Sequence, residues 1–135
     1  MVDDRSELLT EARFPDCRRT LTDPVSHARS LAHHPRRHVL VMTHDHGRDV
    51  QIVTALSTAP LAYLGMLGAR RKRRFLEEAL QATTTADTGV LSRLKAPIGL
   101  DIGARNPTEI AVAIVAEIIQ ERRESAPREP VPTVR

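Results

Sequence analysis

The chain is poor in several things that would define its class. It has one cysteine, Cys17, no tryptophan, and only Phe14, Tyr63 and Phe75 as aromatic residues. A lone cysteine excludes an intrachain disulfide framework and a cysteine-based zinc cluster. So few rings force an aliphatic core of Ile, Val, Leu and Ala. They also remove the stacking platforms that single-stranded nucleic acid needs, so no nucleic-acid partner is expected. No apolar run approaches the roughly 20 residues of a membrane span. Met1-Val2-Asp3-Asp4-Arg5 lacks the apolar stretch of a secretory signal. A cytoplasmic protein without a membrane association is the expectation. Walker A, GxGxxG, HExxH and the nucleophile elbow are also missing.

What is present fits one α/β domain. A length of 135 residues can bury a real core, and 41% hydrophobic with 27% charged residues is ordinary globular composition. Strand-like and helix-like segments alternate. Val2, followed at once by Asp3, Asp4 and Arg5, reads as the end of a strand, and Cys17–Leu21 as a short one. Asp23-Pro24 opens a helix with a capping carboxylate and a first-turn proline. Val25, Ala28, Leu31 and Ala32 form its apolar face.

His38–Met42 is a continuous apolar run, the pattern of a strand buried on both faces. A helix with Val50, Val53 and Leu56 follows, then a buried strand within Leu61–Met66. Next comes a helix from about Ala69 to Gln81, with Phe75, Leu76, Ala79 and Leu80 toward the sheet. Thr83–Gly89 reads as loop, and Ala96–Arg105 as a glycine-bearing loop with room for a short strand. Asn106-Pro107-Thr108-Glu109 starts the last helix in a capping-box relation. That helix is apolar nearly all round from Ile110 to Ile119, so it should be buried or at an interface. Residues 123–135 read as a disordered proline-rich tail, leaving a domain over 1–122. No repeat is visible.

This alternation predicts a Rossmann-like parallel sheet with helices on both faces. Ligands of such sheets bind at the carboxyl ends of the strands, and the unusual sequences fall there. Gly68-Ala69-Arg70-Arg71-Lys72-Arg73-Arg74 loads cations onto a helix start, which normally attracts acids. Glu77 and Glu78 can pair with Arg73 and Arg74. Arg70, Arg71 and Lys72 have no near partner in sequence, and a phosphate would relieve their repulsion while accepting helix-start N–H groups. A solvated basic face is the plain alternative, as it is for His33, His34, Arg36 and Arg37. Thr43, His44, Asp45 and His46, with Asp49, bring hydrogen-bonding and acid/base groups to one strand end. A metal there lacks an identifiable fourth ligand, and a capping role suits Asp45 or Asp49. Gly99 and Gly103 let backbone approach a ligand, or serve only a turn. Asp101 and Arg105 supply polar handles beside them.

These same segments resemble a family. Asp4-Arg5 with residues 12–15, residues 41–46 with Asp49, residues 63–73, and residues 96–105 with Pro107, residues 109–111 and residues 116–118 are similar, in order, to the Rossmann-type C-terminal domain of the XdhC family. These are accessory proteins of xanthine dehydrogenase and related molybdenum hydroxylases. The resemblance implies a chaperone without turnover of its own. Such a protein would bind molybdenum cofactor (molybdopterin) as cargo, shield it during sulfuration and deliver it to the apo-hydroxylase. The implied partners are that hydroxylase, a cofactor sulfurase and a second copy of the chain. The implied contacts are Thr43, His44, Asp45, His46, Gly68, Arg70, Arg71, Lys72, Gly99, Asp101, Gly103 and Arg105.

Two features depart from the family pattern. Its domain begins with a strand and a glycine-rich turn, which this sequence does not show, and Ala69 stands where the family has Ser. The absent strand would be the central one, between the second and the fourth. An open strand edge invites pairing, so the isolated chain is expected to be marginally stable or self-associated. The rival function is an NAD(P)-binding oxidoreductase or regulatory Rossmann domain.

Overall fold

The computed structural model describes residues 1–31, 36–68, 70–82 and 89–125, with Arg70 and Arg71 as backbone only. Ala32, His33, His34, Ala69, most of the 83–89 loop and the tail from 126 onward lie outside the described residues. The elements in order are β1 (Val2–Asp3), β2 (Thr20–Leu21), α1 (Pro24–Ser30), β3 (His38–Val41), α2 (His46–Ala55), β4 (Tyr63–Met66), α3 (Arg70–Ala82), α4 (Gly89–Arg93), β5 (Leu94–Lys95) and α5 (Pro107–Ser125).

Every strand pairing is parallel, but the strands fall into two sheets. One has β1 beside β2, with Val2 opposite Thr20; the other has the order β3-β4-β5. His38 pairs with Tyr63 and Leu64 with Leu94. This is the order left when the first strand is taken from a 3-2-1-4-5-6 Rossmann sheet. No ladder joins β1 to β3 among the described residues. Instead α1 packs on both α2 and β1, and Arg48 on α2 reaches Asp4 at 2.6 Å.

The two faces of β3-β4-β5 carry separate cores, because alternate strand residues point to opposite sides. Leu64, Met66 and Val41 pack with α1, α2, α3 and α4 through Val25, Val53, Leu56, Leu76, Leu80 and Val90. On the other face Tyr63 packs with Ile98 and with Ile114 of α5. Gly65 shares that face, and a Cβ there would stand 2.4 Å from Ile98 Cδ1. Helices on both faces are therefore observed.

The helix starts follow local chemistry. Asp23 caps α1 by accepting from Ser26 N at 2.8 Å, with Pro24 in the first turn. Asn106 accepts from Glu109 N at 2.9 Å, and Glu109 accepts from Arg105 N at 2.7 Å, at the start of α5.

Several expectations change. β3 is not buried on both faces: Val41 is buried, but Leu40 is 38% exposed, because neither a further strand nor a helix covers its side of the sheet. Only Thr20–Leu21 of the 17–21 segment pairs. Phe75, expected to face the sheet, is 47% exposed, its ring instead near the ring of His46. α4 and β5 lie where the sequence predicts no element, and the strand sought inside 96–105 comes just before it. α5 buries Ala113 and Ile114 but exposes Val112, Val115 and Ile119, and it continues to Ser125, past the 122/123 boundary.

Candidate functional site at the strand ends

A cleft of about 660 Å³ opens where the chain leaves β4 and β5. One wall is the Leu67–Gly68 turn. The other is the Pro97–Ala104 loop, backed by Ile110 and Ala113 of α5. The two walls are tied to the sheet ends: Leu67 N donates to Val41 O at 2.9 Å, and Ile98 N donates to Met66 O at 3.2 Å. This volume lies within the range of small-molecule sites, roughly 300 to 1,000 Å³.

Backbone conformation shapes both walls. Gly68 has φ +146° and Gly99 φ +96°. A Cβ on Gly99 would come within 3.2 Å of the Ala113 and Ile114 backbone, so glycine permits α5 to approach the loop. Gly103 has φ +73° with open space around it; it serves the turn and no close approach.

The 97–104 wall is pinned by a carboxylate in the middle of the apolar α5. Glu117 Oε2 accepts from Gly99 N at 2.8 Å and also from the Tyr63 hydroxyl. Burial pushes the Tyr63 phenol above its ordinary pKa, and the Glu117 carboxylate adds to the effect. Sequence reasoning passes over Glu117 and Tyr63 as site elements. The available signal is one acid interrupting the Ile110–Ile119 run.

The sequence-derived residues separate into groups. Gly68, Gly99 and Asp101 line the cleft; Gly103 and Arg105 sit beside its lining residues without joining them. Thr43, His44, Asp45 and His46 stand at the end of β3, outside the cleft lining. Asp45 caps α2, accepting from Gly47 N at 2.7 Å and Arg48 N at 3.2 Å. These backbone hydrogen bonds lower its carboxyl pKa. His44 and His46 are not buried. No group of three His, Cys, Asp or Glu side chains gathers to hold a metal ion among the described residues.

Arg70 and Arg71 open α3 next to the Leu67–Gly68 wall. Lys72 and Arg73 correct the expectation for this segment. Lys72 does have a partner, remote in sequence: its ammonium forms an ion pair with Asp49 on α2 and turns inward. Arg73 pairs with Glu77 at 2.8 Å as expected, and also reaches the carbonyls of Leu94 and Ala96 on the β5 side. Two of the five cations thus serve the fold itself.

Parallel strands, right-order crossovers and a cleft at the strand carboxyl ends define a Rossmann-type α/β ligand-binding domain. The XdhC Rossmann domain family matches residues 1–118, and the chain belongs to that family. Among relatives, a probable xanthine dehydrogenase component of Bacillus subtilis (strain 168) is 34% identical over 128 residues, 93% of this chain and 36% of the relative. The protein YqeB of Escherichia coli (strain K12) is 37% identical over 86 residues, 64% of this chain and 15% of its own length. A crystal structure of a xanthine dehydrogenase from Bacillus halodurans aligns with a TM-score of 0.76 and 34% identity, over 91% of this chain and 36% of that one. The chain therefore spans about a third or less of the length of these proteins. No helix among the described residues is long and apolar enough to cross a membrane.

Proposed function

We propose that this domain holds molybdenum cofactor as cargo in the strand-end cleft and serves in its insertion into a xanthine dehydrogenase or related molybdenum hydroxylase. The observation that carries the reading is the cleft. Its walls are apolar side chains and glycine backbone, suited to a flat pterin, and α3 begins beside it with Arg70 and Arg71, suited to the phosphate. Family membership and the names of the two xanthine dehydrogenase relatives support the choice of enzyme partner. In this reading the protein acts in the cytoplasm, receives cofactor around a sulfuration step and performs no turnover. The site's own residues bind and shield; Glu117 holds the Gly99 wall in place while they do.

Equilibrium dialysis against molybdopterin and, separately, against NAD tests the reading. Retention of molybdopterin that weakens with added salt is the expected result, since exposed cations attract less when screened. Tight NAD retention without molybdopterin would replace it with the dinucleotide-oxidoreductase reading.

A further inference from the structure

Behind the cleft lies a charged pair that the binding site does not expose. Asp49 is 1% exposed and Lys72 9%. Charges this deep are tolerated only when paired and hydrogen-bonded, and these two are joined into a chain that crosses between two turns. The Thr43 hydroxyl donates to Asp49 Oδ1 at 2.6 Å and accepts from Asp45 N at 3.2 Å, which holds the β3–α2 turn. Asp49 Oδ2 meets the Lys72 ammonium. Lys72 Nζ then donates to Leu67 O at 2.9 Å, which holds the β4–α3 turn.

Gly68 makes the path possible. A Cβ there would stand 2.4 Å from Lys72 Cδ, so the lysine stem lies directly over the glycine. The peptide unit is planar and trans, with its carbonyl and N–H antiparallel. Holding the Leu67 carbonyl toward Lys72 therefore turns the Gly68 N–H away from the ion pair, leaving it to a ligand in the cleft that both residues line.

We propose that Lys72 is a positioning residue: with Asp49 it locks the β4–α3 turn against the β3–α2 turn and aims the Gly68 N–H, without touching the ligand itself. The inference rests on the cleft being the binding site. It revises the part of a direct phosphate contact that the sequence suggested for Lys72.

The test is the neutral double variant Asp49→Asn/Lys72→Met, which removes both buried charges together and so need not unfold the domain. Molybdopterin dialysis over a salt series, thermal unfolding, and amide hydrogen exchange at Leu67 and Gly68 are measured. The expected result is a melting temperature near that of the parent and affinity weakened about tenfold. The salt slope should be unchanged, and exchange at the two amides at least about tenfold faster, as befits a local opening. A flattened salt slope would show that Lys72 contacts the ligand and would overturn the proposal. Unchanged affinity with unchanged exchange would do the same. If the parent chain does not retain molybdopterin, the cofactor reading falls, and the exchange measurement alone decides whether the lock exists. Asp49→Asn, in which an unpaired buried lysine can shed its proton, serves in place of the double variant if the latter fails to fold.

Discussion

The two faces of the β3-β4-β5 sheet are held by different forces. Toward α1, α2 and α3 the contact is broad and aliphatic: Leu56, Leu76, Leu80 and Val90 are all but inaccessible, with a single ion pair at the margin. Toward α5 the apolar contact shrinks to Tyr63, Ile98 and Ile114, and polar pins take over. Glu117 binds a phenol and a backbone N–H, and Lys95 meets Glu121 at 2.5 Å. Non-directional burial supplies stability on the first face. Directional bonds set the position of one loop on the second, and that loop is a wall of the cleft.

The largest effect should come from breaking the ion pair on one side only. Lys72→Met leaves Asp49 charged and buried, at a cost of about 3–5 kcal/mol, while adding Asp49→Asn should recover most of it. Urea unfolding of the two variants reads this directly. A single variant as stable as the double would show that the pair is not buried in solution.

Next, Leu80→Ala and Ile114→Ala compare the two cores. Both lie in the range of about 2–5 kcal/mol for such truncations, with Leu80 toward the top because its surroundings are closed and Ile114 toward the bottom. Equal losses in chemical denaturation would remove the asymmetry.

Glu117→Ala should cost less, about 1–3 kcal/mol for the Tyr63 hydroxyl and Gly99 N–H left without their acceptor. Its sharper signature is local. Hydrogen exchange at Gly99 should accelerate while α2 amides stay protected.

The smallest effect is the pH dependence, and it too divides by region. The Tyr63 phenol is raised in the folded state by burial and by Glu117. Its stabilising contribution is complete below the unfolded value of about 10 and declines as pH rises beyond it. Thermal melts above pH 10 should show this decline, and Tyr63→Phe should lack it. At β1 the sign reverses. Hydrogen bonds from Arg5 bring the Asp3 carboxyl from 3.8 down to about 2. That contribution is present above about pH 4 and fades as pH falls toward 2, small because the pair is largely exposed.

The periodic parts of this fold are legible in the sequence. α1 and its Asp23 cap, the β4 run and the Asn106–Glu109 helix start each carry a local signal strong enough to stand without tertiary context. β5 does not, because two strand residues offer no period to read. The burial of β3 is misread because an apolar run reports side chains and not the neighbours available to cover them. Within the site, glycine placement at a strand end points to Gly68, Gly99 and Asp101. The Lys72 partner is invisible, since Asp49 sits on another helix and only the fold brings them together. Glu117 is hidden for the same reason.

The separation of the strands into two sheets has a consequence for how the domain opens. A continuous sheet couples all its strands through shared ladders, so none exchanges its amides without disturbing the next. Here β1 and β2 share a ladder only with each other, and their hold on the rest runs through α1 and the part-exposed Asp4–Arg48 pair. Residues 1–31 are therefore built as a foldon of lower stability, able to detach while β3-β4-β5 stays intact. Native-state exchange should resolve two isotherms under increasing denaturant, the Thr20 amide joining the earlier one and the Tyr63 and Leu64 amides the later.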